Sequence, residues 1–299
     1  MKIAIVGADK VCIGLINNLI LSHDNYEILI IDKFEGPRDG NILDFEDILG
    51  FANSKFKIKA GNFSDLENID LLIIGAKSRV MPGQLEHELY EENARVIVEI
   101  AYFVKQSGFK GLTILLTQPT SVLAKLYAEH TGLELEKIVG FGTMIENLRL
   151  HKLLREQIQN YEFDAVVLGD KNNYFTNFDE IKEKYRITDS TLLTSIFEII
   201  NKKDMEIFVK KGNPHFAASF VLFKFINSIY HKKEYSFIVN VFAKKYYDFE
   251  ENFISLPAVV NIHGVKRIKT ITLSQQEQNK LLEYGHRLNN LYENIKKIC

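Results

Sequence analysis

Residues 2–20, KIAIVGADKVCIGLINNLI, decide how this chain is read. Lys2–Gly7 is a short β-branched run closed by a glycine, the pattern of a buried parallel strand. Residues 11–22 (VCIGLINNLILS) then carry apolar side chains at helical spacing. Tyr26–Asp32 (YEILIID) reads as a second buried strand, and Leu71–Gly75 (LLIIG) and Leu112–Leu116 (LTILL) read as two more. Between those last two, residues 86–107 mix charged and apolar positions at a period near 3.6, which predicts a long surface helix. This alternation predicts an α/β fold over residues 1–140, with a parallel sheet covered by helices on both faces.

After Gly140 the texture changes. Residues 143–160 and 190–203 have helical spacing, and residues 214–231 carry aromatics too densely for a surface helix. Phe237–Phe242 and Leu256–Ile262 predict antiparallel strands, and residues 274–298 predict a polar terminal helix. With no low-complexity linker between the halves, the expectation is two abutting domains, 1–140 and 141–299, with a small-molecule cleft between them.

Composition narrows the function classes. The chain has 299 residues, 46% hydrophobic and 25% charged, which excludes a disordered segment. Its 37 basic and 39 acidic residues give a net charge of −2, so no global field recruits nucleic acid or anionic lipid. Cys12 and Cys299 form no disulfide framework, and the histidines and cysteines show no metal-ligand spacing. No apolar run approaches the roughly 20 residues of a membrane span, and the strand that follows Met1 leaves no room for a secretory leader. The expected setting is cytoplasmic, with no metal, no membrane and no nucleic-acid partner.

Strand, glycine, helix and then an acid at the end of the next strand is a dinucleotide-binding arrangement. The helix N-terminus attracts a pyrophosphate, glycines admit the backbone, and the acid holds the ribose hydroxyls. Gly7 supplies the turn and Asp32 follows 25 residues later, although an acid there also serves as an ordinary strand-end residue. Counting G-x-G-x-x-G from Gly7, Asp9 stands at the second glycine position and Cys12 at the third, with Gly14 outside the pattern. A carboxylate about 5 Å from a phosphate charge costs on the order of 3 kcal/mol at an effective dielectric near 20, roughly a hundredfold in affinity. Lys10 can offset part of that. Asp9 is also a good N-cap, able to fill the anion site itself.

Seven segments in order carry a wider likeness: IAIVGADKV, ILIIDKFEG with NILDFEDI, LLIIGAKSRVMPGQLEHELYEEN, ILLTQPTSVLAKLYAEHTGL, EKIVGFGTMIENLRLHKLL, SLPAVVNIHGVKRI and the charged terminal helix. On these the chain resembles the lactate/malate dehydrogenase family over nearly its whole length. The resemblance implies a Rossmann NAD-binding domain, a mixed α+β substrate domain, and a homodimer or homotetramer. It implies hydride transfer between NAD and the C2 of a 2-oxo or 2-hydroxy acid. It sets Gly7, Asp9, Lys10, Val11, Asp32 and Ala76 against the cofactor.

The family's catalytic positions map unevenly. The carboxylate-gripping arginine matches Arg149, whose fork suits a carboxylate, although a surface helix also accepts an arginine. One turn earlier the family's aspartate is Glu146. The family's proton-carrying histidine is Lys171, in Gly169-Asp170-Lys171-Asn172. An ordinary lysine needs a shift of about three pKa units to act as a base at neutral pH, and Glu146 nearby opposes that shift. Lys171 and Glu146 are therefore either a proton-handling pair or an ion pair filling a dead site. The carbonyl-polarising arginine, three residues after Pro82-Gly83, is Glu86, with Arg79 on the same loop as a possible replacement. Val80 takes the substrate-selecting position, and Gln118 stands for the asparagine of the family's T-N-P turn. His215 either faces the pocket or is a partly buried helix histidine. Two functions follow: a weakened or altered NAD-linked oxidoreductase, or a catalytically inactive pseudoenzyme that binds or assembles, including with an active relative.

Overall fold

The computed structural model of the chain describes residues 1–52, 55–79, 81, 83–162, 165–170, 173–189, 191–243 and 252–299. Its strands are β1 (Lys2–Val6), β2 (Glu27–Ile31), β3 (Lys57–Ala60), β4 (Leu71–Ile74), β5 (Leu112–Leu115), β6 (Ile138–Gly140), β7 (Ser236–Ala243), β8 (Asn252–Asn261) and β9 (Gly264–Ile268). Its α-helices are α1 (Lys10–Leu21), α2 (Glu35–Ala52), α3 (Glu86–Gln106), α4 (Thr120–Thr131), α5 (Met144–Gln157), α6 (Phe178–Tyr185), α7 (Leu192–Lys211), α8 (Phe216–Tyr230) and α9 (Gln275–Lys296).

All the strands join one sheet, in the order β3-β2-β1-β4-β5-β6-β7-β8-β9. The first six are parallel and the last three antiparallel. β1 lies between β2 and β4, with Ile3 opposite both Ile28 and Leu71. Every residue of β4 is fully buried, as continuous apolar strands covered on both faces should be. Each such Ile or Leu stabilises the fold by roughly 1.5–3 kcal/mol. The chain reverses its winding between β1 and β4, and a crevice opens at the carboxyl ends of strands at such a switch point.

The sheet does not stop where the sequence texture changes. Gly140 pairs with Asn240, so β7 continues the parallel half in antiparallel sense. Side chains lock this joint: Asn240 Nδ2 donates to Ser121 Oγ of α4 at 2.8 Å, and Ser255 Oγ donates to Asn240 Oδ1. A smaller core of Leu150, Leu154, Tyr161, Val167, Ile181, Ile196 and Ile200 holds α5, α6 and α7 together.

Two helices differ from expectation. The one expected at 190–203 runs on to Lys211. Residues 35–52 form α2 although Gly36, Gly40 and Gly50 interrupt the pattern. Pro37 falls in the first turn, where its missing N–H leaves no bond broken, and Ile42 and Phe45 anchor the helix.

Gly14 is a contact residue. A Cβ there would stand 2.4 Å from Ser219 Oγ of α8. Gly14→Ala is therefore expected to destabilise the protein by about 1–3 kcal/mol in urea unfolding, with Ser219→Gly restoring part of the loss. No change in the unfolding midpoint would contradict this close approach.

Candidate functional site

The crevice begins at the turn after β1. Gly7 has φ +85°, and a Cβ on it would lie 2.4 Å from the Ala76 backbone. Only glycine lets these two strand ends approach so closely. Asp32, at the end of β2, accepts the Ala8 N–H at 2.8 Å and the Phe34 N–H at 2.9 Å. Its carboxylate therefore stands against the turn.

Asp9 caps α1. Its Oδ1 accepts the N–H groups of Val11 and Cys12, both at 3.0 Å, so it fills the anion seat of the helix N-terminus. Its Oδ2 accepts from Lys77 Nζ at 2.8 Å. Lys77, two residues past Gly75, thus takes the compensating role expected of Lys10, which stands exposed as the first residue of α1. Cys12 fits at its glycine position because Gly75 has no Cβ: one built there would meet Cys12 Sγ at 2.6 Å. Burial, with the Asp9 charge beside it, pushes the Cys12 thiol well up, so it stays a neutral apolar plug.

Asn93, buried on α3, ties two crevice loops together. It accepts the Ser78 N–H at 2.8 Å and donates to the Gln118 carbonyl at 2.8 Å. Gln118 is exposed, and its side-chain oxygen accepts the Thr120 N–H at 3.2 Å. Thr117 Oγ1 donates to the Ala76 carbonyl at 2.7 Å. The loop ends after β4 and β5 are thereby fixed relative to each other.

α5 is aimed by its partners in residues 165–168. Thr143 Oγ1 donates to the Val167 carbonyl at 2.7 Å, and Asn147 Oδ1 accepts the Val167 N–H at 3.0 Å. That orientation gathers Glu146, Arg149, Tyr174 and Asp204. Arg149 Nη2 donates to Asp204 of α7, and the Arg149 side chain keeps only 16% of its exposure. Tyr174 stands close enough to Glu146 for each to shift the other's titration. Loss of solvent, with the Asp204 charge adding to it, raises the Glu146 carboxyl above the ordinary carboxylate range, while Arg149 and Tyr174 oppose the shift.

Next to this group, Glu86 opens α3 and hydrogen-bonds the Tyr90 hydroxyl. Asp170 lies within reach of both Glu86 and Tyr174, with Arg287 of α9 at 3.7 Å. Desolvation raises Asp170 too, Arg287 opposing and Glu86 reinforcing the shift. Among the described residues, no group of three or more His, Cys, Asp or Glu is placed to hold a metal ion. No helix among them is long and apolar enough to cross a membrane.

Comparison with known proteins accounts for this layout. Residues 1–140 match the lactate/malate dehydrogenase NAD binding domain, and residues 166–299 match the lactate/malate dehydrogenase alpha/beta C-terminal domain. The chain belongs to the lactate/malate dehydrogenase family. The L-lactate dehydrogenase of Mycoplasma mobile is 26% identical over 294 residues, covering 94% of this chain and 92% of that one. L-lactate dehydrogenase 2 of Lactobacillus johnsonii is 25% identical, covering 98% of both. The fold matches a lactate dehydrogenase from a Medee basin deep-sea metagenome library at a TM-score of 0.89 and 22% identity, over 99% of this chain and 98% of that one. It matches the malate dehydrogenase of Aeropyrum pernix at 0.86 and 19%, over 98% and 97%.

Of the positions expected from the family pattern, the structure brings Glu146 and Arg149 into one cluster and Gly7, Asp9, Val11, Asp32 and Ala76 into another. Lys171, Val80 and Pro82 lie outside the described residues. Arg79 is not with Arg149: its guanidinium lies over the Phe34 ring, 5.4 Å from the centroid, on the side of Asp32. His215 is held to its own turn by the Asn213 carbonyl at 2.8 Å and packs at a tilt against Phe216. Sequence reasoning missed Lys77, Asn93, Tyr174 and Asp204. Lys77 carried a local signal, a cation directly after the Gly75-Ala76 turn. Asp204, 55 residues from Arg149, carried none.

A carboxyl raised by folding favours its neutral form, so its contribution to stability is full below the ordinary pKa of 4.5 and is lost as pH rises through the raised value. Glu146→Gln removes that loss. The melting temperature of Glu146→Gln relative to the parent is expected to rise between pH 4.5 and pH 8; parallel profiles would contradict the buried-carboxyl assignment.

Proposed function

We propose that the chain is an NAD-linked oxidoreductase of the family's carbonyl/alcohol type, with weakened affinity for anionic ligands. One observation carries this reading: Asp9, the residue most hostile to a pyrophosphate, is ion-paired to Lys77, inside a turn whose Gly7–Ala76 approach and Asp32 contact are intact. The ribose end of the site fits NAD. At the phosphate end, Val11 and Cys12 already donate to Asp9, so a phosphate meets a Lys77 ammonium that is half exposed but already engaged by Asp9.

NAD, when bound, supplies or accepts a hydride. The chain's own residues do the rest: Arg149 and Gln118 hold the substrate, Glu146 orients the proton carrier, and Lys171 is that carrier by its place in the family pattern. A lysine ammonium there donates a proton to a carbonyl more readily than it removes one from an alcohol. Reduction is therefore the favoured direction. The substrate belongs to the 2-oxo or 2-hydroxy class, and the family's arginine for developing negative charge is absent at Glu86, which lowers the rate by a factor on the order of 10²–10³ or more.

Titration calorimetry with NADH tests this reading. The parent protein is expected to bind. Asp9→Gly, which removes the competing charge at a capping cost of a few tenths of a kcal/mol, is expected to bind roughly ten- to a hundredfold tighter. Lys77→Met is expected to bind more weakly. Absence of NADH binding in both the parent and Asp9→Gly retires the oxidoreductase reading.

A second reading, a non-catalytic member that binds or assembles, is favoured by the covered Arg149 fork and by Glu86. Under either reading the protein is proposed to self-associate as a homodimer or homotetramer. Leu43 and Phe51 of α2 and Phe216 and Phe220 of α8 are exposed apolar side chains on two helices that both pack on α1. Sedimentation velocity is expected to show a dimer or larger, and Phe51→Glu with Phe216→Glu a monomer; a monomeric parent protein at micromolar concentration contradicts the proposal.

A further inference from the structure

We propose that Asp204 determines substrate specificity by standing where a substrate's carboxylate would bind, so that the site takes a neutral 2-oxo compound, an amide or ketone, in place of a 2-oxo acid. The inference rests on the reading of Arg149 as the substrate's anchor.

A guanidinium recognises a carboxylate through two parallel N–H donors aimed at two oxygens. In this chain one of those donors is already engaged internally. Arg149 donates from Nη2 to Asp204 Oδ1, and with 16% of its side chain exposed it offers solvent little else. Asp204 comes from α7, and Arg149 from α5, two helices that pack on each other over the smaller core. The pairing is thus built into the helix packing and does not depend on a loop.

The surroundings deepen the preference. Glu146 and Asp204 are close enough for each charge to act on the other, and Tyr174 feels Glu146, Asp204 and Asp170 together. A second carboxylate entering beside them meets the Asp204 charge and a desolvated carboxyl at Glu146, while the arginine it needs is already paired. A neutral 2-oxo amide meets a different balance. Its N–H donors match the Asp204 carboxylate, whose Oδ1 accepts from Arg149 and which keeps 52% of its side chain exposed, and its carbonyl needs no displaced ion pair.

The test compares pyruvate with its neutral isostere pyruvamide by ligand-detected NMR titration, in the absence of cofactor, on the parent protein, Asp204→Asn and Asp204→Ala. The parent is expected to bind pyruvamide in preference to pyruvate. Both variants are expected to gain affinity for pyruvate by about tenfold or more and to lose the preference. Asp204→Asn keeps the side-chain shape and decides the matter if Asp204→Ala does not fold. Equal pyruvate affinity in the parent and Asp204→Asn overturns the proposal, and so does a failure of every form to bind pyruvate. Failure of both the parent and Asp9→Gly to bind NADH overturns the oxidoreductase reading alone, because this comparison is made without cofactor.

Discussion

The carboxylate of Asp9 sits on the N-terminus of α1, and much of the crevice is arranged around that contact. An aspartate cap stabilises a helix by roughly 0.5–2 kcal/mol, with a further ~0.3–1 kcal/mol from the helix dipole. The same two amides are the ones a bound phosphate would use. Once Asp9 takes them, a cation must stand beside it, and Lys77 does. Once the turn carries a Cys in place of its last glycine, the neighbouring strand end must give up its Cβ, and Gly75 has none. The changes at Asp9, Cys12, Gly75 and Lys77 are therefore mutually consistent. They form one repacked turn, held in the same close approach of Gly7 to Ala76.

The second crevice wall repeats this logic with other residues. α5 is aimed by Thr143 and Asn147 through backbone groups of Val167, which fixes where Glu146 and Arg149 point. The Arg149 charge is then paired with Asp204 of α7. Among the described residues, the α1 N-terminus and the Arg149 guanidinium are each answered by a carboxylate of the chain itself. Folding gains from both contacts. Binding of an anion at either place is opposed, because the internal carboxylate has to be displaced or tolerated.

The parallel half was legible because each of its central strands is an apolar run closed by a turn residue. β3 was not, since KIKA is short, half charged and lies at the sheet edge. α2 was hidden by its glycines and by Pro37, and became a helix through tertiary anchoring at Ile42 and Phe45. At the site, Asp9 as a cap was readable from Asp followed by an apolar helical run. Its neutralising partner was not, because Lys10 is next to it in sequence while Lys77 is next to it in space. Parallel pairing of β1 with β4 makes residues some 70 positions apart neighbours. Asp204 is the extreme case, since a contact between two helices of the second core leaves no periodic trace in either.

The chain's own Asp9 carboxylate, and not a lost scaffold, controls the phosphate seat. Amide NMR of Val11 and Cys12 during titration with inorganic pyrophosphate tests it most directly. Both amide signals are expected to stay in place in the parent protein through millimolar pyrophosphate and to move in Asp9→Gly. Movement of both signals in the parent at low concentration would show that phosphate displaces Asp9 freely, and would contradict the account.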